Sequence, residues 1–213
     1  MKHLSFLTGI ISSSLEFFHS FTGSWGLAII LLTVAIRLLL YPLTASQTKS
    51  MAAMRDLQPK MKELQAKYKD KPEEYQKRML ELYKEHKVNP LGGCLPVLLQ
   101  MPILFALFYV LREFDFGSQS GFLWIQSLSQ PDSTYLMPIL TAVTTYMQMM
   151  LTPTDSSQKT MMYIMPAFIG IISMQFPAGL TLYWVVSNII AYLQQMVINK
   201  RLLGSEEEGS VAN

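Results

Sequence analysis

The sequence predicts an all-α, polytopic membrane protein with five transmembrane helices, a cytoplasmic helical hairpin and an N-terminal interfacial helix. Half of its 213 residues are hydrophobic and only 15% are charged, whereas a soluble domain carries about a quarter charged residues. Of the 17 lysines and arginines, 11 lie between Lys49 and Lys87. The remaining chain contains five apolar stretches with lengths near the roughly 20 residues that span a bilayer as a helix.

The same composition excludes several classes of protein. An ordinary soluble globule and a disordered chain are both inconsistent with long stretches of uncharged, apolar sequence. The single cysteine, Cys94, cannot form an internal disulfide. The net charge of +2 is too small to indicate nucleic-acid recognition.

Residues 1–24 are predicted to form an external helix that lies in the membrane interface. Five apolar residues recur at steps of three and four and fall on one helical face; they are Leu4, Leu7, Ile11, Leu15 and Phe18. The segment has one lysine and no clear cleavage site, so we do not expect a signal peptide. A poorly ordered tail is the alternative.

Five spans follow from the apolar stretches. They are predicted at residues 25–45, 91–111, 135–151, 161–176 and 180–198. The connecting segments are the cytoplasmic hairpin 46–90, the external loop 112–134, the cytoplasmic loop 152–160 and the cytoplasmic tail 199–213. The third and fourth spans cover only about 25 Å at 1.5 Å per residue. This length predicts that they either thin the membrane around them or lie within protein, and a boundary error of about three residues is the alternative.

The distribution of basic residues predicts the orientation of the chain. With residues 46–90 placed in the cytoplasm, 14 lysines and arginines lie inside, and only Lys2 and Arg112 lie outside. Basic residues favour the cytoplasmic side of a membrane. We therefore expect the N-terminus outside and the C-terminus in the cytoplasm.

The cytoplasmic segment 46–90 has the pattern of two helices broken at Pro72. Its apolar residues form a stripe rich in methionine and tyrosine that is a candidate surface for capturing a helix or lipid headgroups. The stripe includes Met54, Leu57, Met61, Tyr75, Met79 and Tyr83. The alternative is a solvated helix pair with no binding role.

Arg37 is the one charged residue inside the predicted spans, about 18 Å from Trp25 along a helix. An arginine near the middle of a bilayer costs between about 2.5 and 17 kcal/mol. No aspartate or glutamate occurs in any span, so Arg37 has no intramembrane counter-ion. It either extends towards the cytoplasmic headgroups as an anchor or faces a water-filled cavity.

Polar residues at membrane depth favour the cavity, although each one alone is explained by an interhelical hydrogen bond. Together with Arg37 they predict a hydrated groove. The polar residues are Thr33, Gln100, Thr141, Thr144, Thr145, Gln148, Ser173, Gln175, Ser187, Asn188, Gln194 and Gln195.

The sequence lacks the motifs of several kinds of chemistry. It contains no GxxxxGK[ST], HExxH or GxSxG motif, and its three histidines lie outside the spans. We therefore expect no enzyme activity, no cofactor and no metal. A proton-coupled transporter usually needs an intramembrane carboxylate or histidine. Two classes of function are not excluded by these absences: a passive channel and an energy-independent chaperone for membrane segments.

Several motifs occur in a specific order along the chain. They are GSWG at 23–26, RLLLYPL at 37–43, MRDLQPK at 54–60, NPLGGCLP at 89–96, QMPI at 100–103, FPAGL at 176–180 and YWVVSN at 183–188. From about residue 15 to 200 the chain resembles the YidC-type membrane protein insertases, the family of bacterial YidC and its mitochondrial and chloroplast relatives.

The resemblance implies a bacterial plasma-membrane insertase that moves hydrophobic segments with short polar tails into the bilayer without ATP, alone or with the Sec translocon. The residue matching the family's arginine, Arg37, would receive a substrate's acidic tail in a groove open to the cytoplasm and closed outside. Gln148 and Trp184 would line this groove, and residues 50–88 would capture nascent chains.

The chain departs from some members of that family. We expect neither the extra N-terminal span and large external domain of Gram-negative members nor a lipoprotein form. The tail after Arg201 is short and contains Glu206, Glu207 and Glu208, so a ribosome would have to dock on the hairpin.

Two other classes of function are alternatives. A small passive channel or transporter predicts a pathway that opens to both faces of the membrane. A structural adaptor predicts that the spans only anchor residues 49–87.

Overall fold

The computed structural model describes residues 2–86, 95–114, 116, 120–151 and 159–211. Its described residues form an all-α fold, and their one β-type pairing is an isolated bridge between Phe122 and Ile125. The helices are α1 (Lys2–Thr22), α2 (Trp25–Leu39), α3 (Tyr41–Lys67), α4 (Pro72–Glu85), α5 (Leu95–Glu113), α6 (Leu136–Leu151), α7 (Lys159–Ser173) and α8 (Ala178–Val211).

Parts of the predicted segments lie outside the described residues. These parts are residue 1, residues 87–94, which include Cys94, residues 115 and 117–119 of the external loop, most of the loop 152–160, and the last two residues of the tail.

The segment predicted as one span at 25–45 is divided in the structure. Helix α2 ends at Leu39 and α3 begins at Tyr41, and the axes of α2 and the first part of α3 differ by 59°. Pro42 lies in the first turn of α3, where its missing N–H prevents one helix from running on without a break. The bend places Arg37 in the last turn of α2.

Within the described chain, only residues Ala178–Lys200 of α8 form a straight helix long and apolar enough to cross a bilayer. The bent pair of α2 and the start of α3 meets the same criterion when taken as one unit. Helix α6 and residues Thr160–Ser173 of α7 are apolar but shorter.

Helix α8 lies at the centre of the bundle. It packs against α2, α3, α5 and α6, and α6 also packs along α7. The α6–α7 contact is close because Gly170 faces Ala142, where a β-carbon on the glycine would lie 2.9 Å from that of the alanine.

One end of the bundle is closed by residues 120–135, and we call it the loop end. Leu128 is fully buried there, and its carbonyl accepts a hydrogen bond from Gly179 N–H at 2.8 Å. A side chain at Gly179 would press on that carbonyl and on Ile29. The carbonyl of Gln130 accepts from Ala178 N–H at 2.8 Å, so the loop caps the free amides at the start of α8.

The hydrophobic core is concentrated at the loop end. It collects the first turns of α2, α6 and α8, the last turns of α5, and part of the loop. Its main members are Ala28, Ile29, Leu32, Leu107, Leu111, Ile125, Leu128, Met137, Leu180 and Tyr183.

Helix α1 packs against α2 and α5 and buries Ile11 and Leu15 in the core. Helices α2 and α5 therefore cover the side of α1 that contains Ile11 and Leu15, and the position of α1 in the membrane interface stays a prediction. A second apolar face of α1 is exposed instead, formed by Phe6, Ile10, Phe17 and Phe21. The apolar periodicity alone does not show which of two adjacent faces a neighbouring helix covers.

Helix α4 packs against the second half of α3 at the other end of the bundle, which we call the hairpin end. The two helices are joined by residues 68–71. Lys60 Nζ donates to His86 Nε2 at 2.9 Å, and the hydroxyl of Tyr83 lies 4.0 Å from the sulfur of Met61.

Candidate functional site

Most of the buried polar side chains lie in the half of the bundle next to the hairpin end. Along α8 one buried polar residue, Thr181, lies among the apolar side chains of the first turns, and four lie further along, beside the buried Ala191 and Ile198. The four are Ser187, Asn188, Gln194 and Gln195. Helices α2 and α6 change in the same direction, from apolar residues at the loop end to threonines further along. We call this half of the bundle the polar half.

Arg37 lies in the polar half and is partly buried. Its Nε donates to the hydroxyl of Ser187 at 2.8 Å. Among the described residues, the ion pairs link Lys71 to Glu74 and Arg78 to Glu81, and none involves Arg37. The guanidinium therefore keeps donors for an anion that the described part of this chain does not supply.

Helix α8 also contacts the backbone of Arg37. The side chain of Gln194 donates to the Arg37 carbonyl at 3.2 Å. Ser187 and Gln194 are two turns apart on one face of α8. Helix α8 thus holds both the guanidinium and the carbonyl of the residue next to the α2–α3 bend.

A second polar contact joins α5 to α8. Gln100 Nε2 donates to the hydroxyl of Tyr183 at 2.5 Å. Tyr183 lies one turn before Ser187 on α8, so both hydroxyls fall on the same side of that helix. Arg37, Gln100, Tyr183 and Ser187 thereby form a group from three helices, which we call the Arg37 site.

A third polar contact joins α6 to α8. Asn188 Nδ2 lies 2.9 Å from the hydroxyl of Thr145 and 3.3 Å from that of Thr144, and donates to both. Asn188 follows Ser187 in the chain, but its side chain contacts α6, whereas that of Ser187 contacts Arg37 of α2. Gln148, one turn beyond Thr144, is partly buried on the same side of α6.

Two predicted site residues contribute less directly. Thr33 is fully buried, and its hydroxyl donates to the Ile29 carbonyl of its own helix at 2.6 Å. Trp184 is partly buried on α8. The polar contacts of the Arg37 site therefore come from Gln100 and Ser187 among the predicted residues, with Thr144 and Asn188 beside them.

The predicted set omitted Tyr183 from the site. A tyrosine four residues before Ser187 shares its helical face, and a buried tyrosine hydroxyl usually needs a partner. Those two signals were available in the sequence. Gln194 was identified as polar but not as a site residue, because its role depends on a carbonyl freed by the bend.

The residues of the predicted capture stripe are all at least partly covered. Leu57 is buried, and Met54, Met61, Tyr75, Met79 and Tyr83 are each partly buried. The Tyr83–Met61 contact joins α4 to α3. The most exposed apolar residue of α4 is Leu80, which the predicted stripe did not include.

Within the described ranges no group of three or more histidine, cysteine or acidic residues is placed to hold a metal ion. The polar half offers hydroxyls, amides and one guanidinium. This set of groups suits the binding of a polar or anionic peptide segment.

Comparison with known proteins identifies the family. The family model of the 60Kd inner membrane protein matches residues 17–205. The chain is 46% identical over 200 residues to the membrane protein insertase YidC of Shewanella piezotolerans and 47% identical over 200 residues to that of Shewanella halifaxensis. In both comparisons the match covers 92% of this chain and 36% of the relative.

A solved structure is also similar. A crystal structure titled as an active YidC insertase with its first transmembrane domain resolved matches with a TM-score of 0.75 and 34% identity, covering 89% of this chain and 45% of that one. The chain thus spans about a third of the length of the curated relatives. Because the family model covers most of the chain, this protein belongs to the 60Kd inner membrane protein family, together with the YidC insertases.

Proposed function

We propose that this chain is a membrane protein insertase that passes hydrophobic segments with short polar tails into the lipid bilayer without ATP. The observation that carries the proposal is Arg37, a cation bound to Ser187 within the polar half and in no ion pair among the described residues. The similarity to YidC insertases supports the same activity.

The proposed arrangement has five spans in the bacterial plasma membrane, with the predicted bounds 25–45, 91–111, 135–151, 161–176 and 180–198. The loop end and α1 face outside, and the hairpin and the C-terminus face the cytoplasm. The excess of basic residues on the hairpin side supports this orientation.

In the proposed mechanism, the polar half is a groove open to the cytoplasm. The hairpin receives a nascent segment, and Arg37 attracts its acidic tail. Thr33, Gln100, Thr144, Gln148, Trp184, Ser187 and Asn188 line the path. The packed core at the loop end supports closure towards the outside.

Partitioning of the apolar segment supplies the driving force. Each buried CH₂ group contributes about 0.8 kcal/mol, which accumulates over a transmembrane segment. The protein needs only to lower the barrier for the polar tail. A single partly hydrated cation suits this role, because a buried ion pair would release its partner slowly.

The proposed partners are nascent membrane proteins with acidic tails, lipid, the Sec translocon and the ribosome.

Substitution of Arg37 tests the proposal. We expect Arg37→Ala to abolish insertion of a substrate with an acidic tail into liposomes that contain only this protein. Arg37→Lys should largely retain it, because the charge is kept. Both should insert a matched substrate with a neutral tail at the same rate as the parent chain.

The control is Arg112→Ala, which removes an exposed arginine at the loop end. It should leave insertion of both substrates unchanged. Undiminished insertion of the acidic-tailed substrate by Arg37→Ala would reject the charge-based mechanism.

A further inference from the structure

A cavity of about 260 Å³ lies between α1 and the end of α5, and no residue of the Arg37 site lines it. Its walls are Thr8, Ser12, Tyr109, Val110, Glu113 and Phe114. Ligand sites for drug-sized molecules usually exceed about 300 Å³. This cavity therefore fits a small head group better than a peptide or a large cofactor.

Glu113 gives the cavity a negative charge. It is the last residue of α5 and is exposed, and no ion pair between described residues includes it. A helix C-terminus carries partial negative charge. The carboxylate of Glu113 therefore strengthens the negative electrostatic potential at the end of α5. The neighbouring Arg112 lies over the ring of Phe108, 5.8 Å from its centroid, and Phe108 does not line the cavity.

Aromatic rings add a second feature that favours a cation. Tyr109 and Phe114 belong to the cavity wall, and the faces of such rings attract ammonium groups. Phe114 also packs edge-on against Trp25, with 4.8 Å between ring centroids. A carboxylate beside aromatic rings is a suitable site for a primary or quaternary ammonium group.

The surroundings of the cavity indicate that the ammonium group belongs to a lipid. Phe105, one turn before Tyr109 on α5, is half exposed. Met101, one turn before Phe105, is 41% exposed and extends this apolar surface along α5. Acyl chains can cover such a surface, whereas a soluble amine would leave it in water.

We propose that this cavity binds the ammonium group of an outer-leaflet phospholipid, with phosphatidylethanolamine as the chemical type, through Glu113, Tyr109 and Phe114. The leaflet rests on the orientation given in the proposed function, but the binding itself does not depend on insertase activity. A bound headgroup would fix α1 against the end of α5.

Lipid retention tests this site. The purified 213-residue chain, equilibrated with equal amounts of phosphatidylethanolamine and phosphatidylglycerol, is analysed by native mass spectrometry. We expect the parent chain to retain phosphatidylethanolamine preferentially. Glu113→Gln should lower that preference roughly threefold, the size expected for an exposed ion pair. The double variant Glu113→Gln with Tyr109→Leu should lower it further.

Controls separate this inference from the insertase proposal. Glu73→Gln, which removes an exposed carboxylate at the hairpin end, and Arg37→Ala should both keep the parent preference. Soluble ethanolamine at the same concentration should not displace the lipid. An unchanged preference in Glu113→Gln, an equal loss in Glu73→Gln, or displacement by soluble ethanolamine would each overturn the lipid site.

Discussion

At the scale of single residues, Arg37 is held where it is by helix α8. Ser187 binds its Nε and Gln194 binds its carbonyl. The carbonyl needs such a donor because the chain bends after Leu40, which disturbs the regular i to i+4 hydrogen bonds of α2. The position of the cation is therefore set by a helix that follows it by about 150 residues.

Gln194 is predicted to act as a positioning residue for Arg37. Gln194→Leu should lower insertion of an acidic-tailed substrate severalfold and leave a neutral-tailed one unaffected. Gln195→Leu is the matched control, because Gln195 is also buried and donates to a carbonyl, that of Leu151 at 3.1 Å. Each variant should lose about 1 kcal/mol of stability, measured by denaturation in detergent. Equal loss of charge selectivity in both variants would contradict the positioning role.

Asp132 fixes the start of α6. Its Oδ2 accepts from Met137 N–H at 2.8 Å, and its Oδ1 accepts from the N–H and hydroxyl of Thr134 at 3.0 and 2.7 Å. Burial by itself would raise the pKa of Asp132, but the hydrogen bonds from Met137 and Thr134 outweigh it and hold the pKa below its usual value.

This lowered pKa predicts how stability depends on pH. The ionised carboxylate stabilises the folded state above its unfolded pKa of about 3.9, and the contribution is lost as pH falls through the lower folded pKa. Asp132→Asn should cost about 1 kcal/mol at neutral pH and should reduce the loss of stability in acid. Thermal unfolding between neutral and acidic pH measures both, with exposed Asp70→Asn as the control. An unchanged acid profile in Asp132→Asn would contradict this assignment.

At the scale of elements, sequence periodicity predicted helices but not all of their limits. The Pro72 break between α3 and α4 was visible because proline favours a helix start. Pro42 carried the same signal at 41–43, yet the apolar run across it predicted one span. The hydrophobicity of a stretch indicates how many of its residues favour lipid. It does not indicate whether the helix bends within that stretch.

The hairpin is predicted to capture substrates without holding the spans together. Deleting residues 56–85 should reduce crosslinking of nascent chains to this protein and leave the melting temperature of the remaining bundle nearly unchanged. The physical reason is that the hydrophobic core is concentrated at the loop end. Leu80→Ser is a milder variant, because that side chain is exposed on α4 and its loss should weaken capture alone. Crosslinking at the parent level after the deletion would count against capture.

At the scale of the whole molecule, the hydrophobic core is concentrated at one end of the bundle and most of the buried polar side chains lie towards the other. The core at the loop end and the polar half at the hairpin end favour a groove over a continuous pore. A passive channel would need a hydrated path through the region of Leu128, which is fully buried between α2, α5 and α8.

Labelling from each side of the membrane separates these architectures. In a Cys94→Ser background, Arg37→Cys and Gln148→Cys should react with an impermeant reagent added from the cytoplasm and not from outside. Ala28→Cys is the internal control, since Ala28 is fully buried in the core at the loop end and should react from neither side. Labelling of position 37 from both sides would establish a channel. If an unrelated membrane anchor could replace the spans without loss of insertion, the protein would be a structural adaptor whose spans only anchor residues 49–87.

The sequence by itself determined the all-α class, the family and the isolated charge, because apolar run lengths, motif order and the absence of acidic residues from the predicted spans are all local properties. The tertiary structure decided which face of α1 is covered, where the chain bends, and that Arg37 meets Ser187 while Gln100 meets Tyr183. Such contacts join residues 83 to 150 positions apart. Their partners are chosen by how the helices pack, which the periodicity of a single helix does not contain.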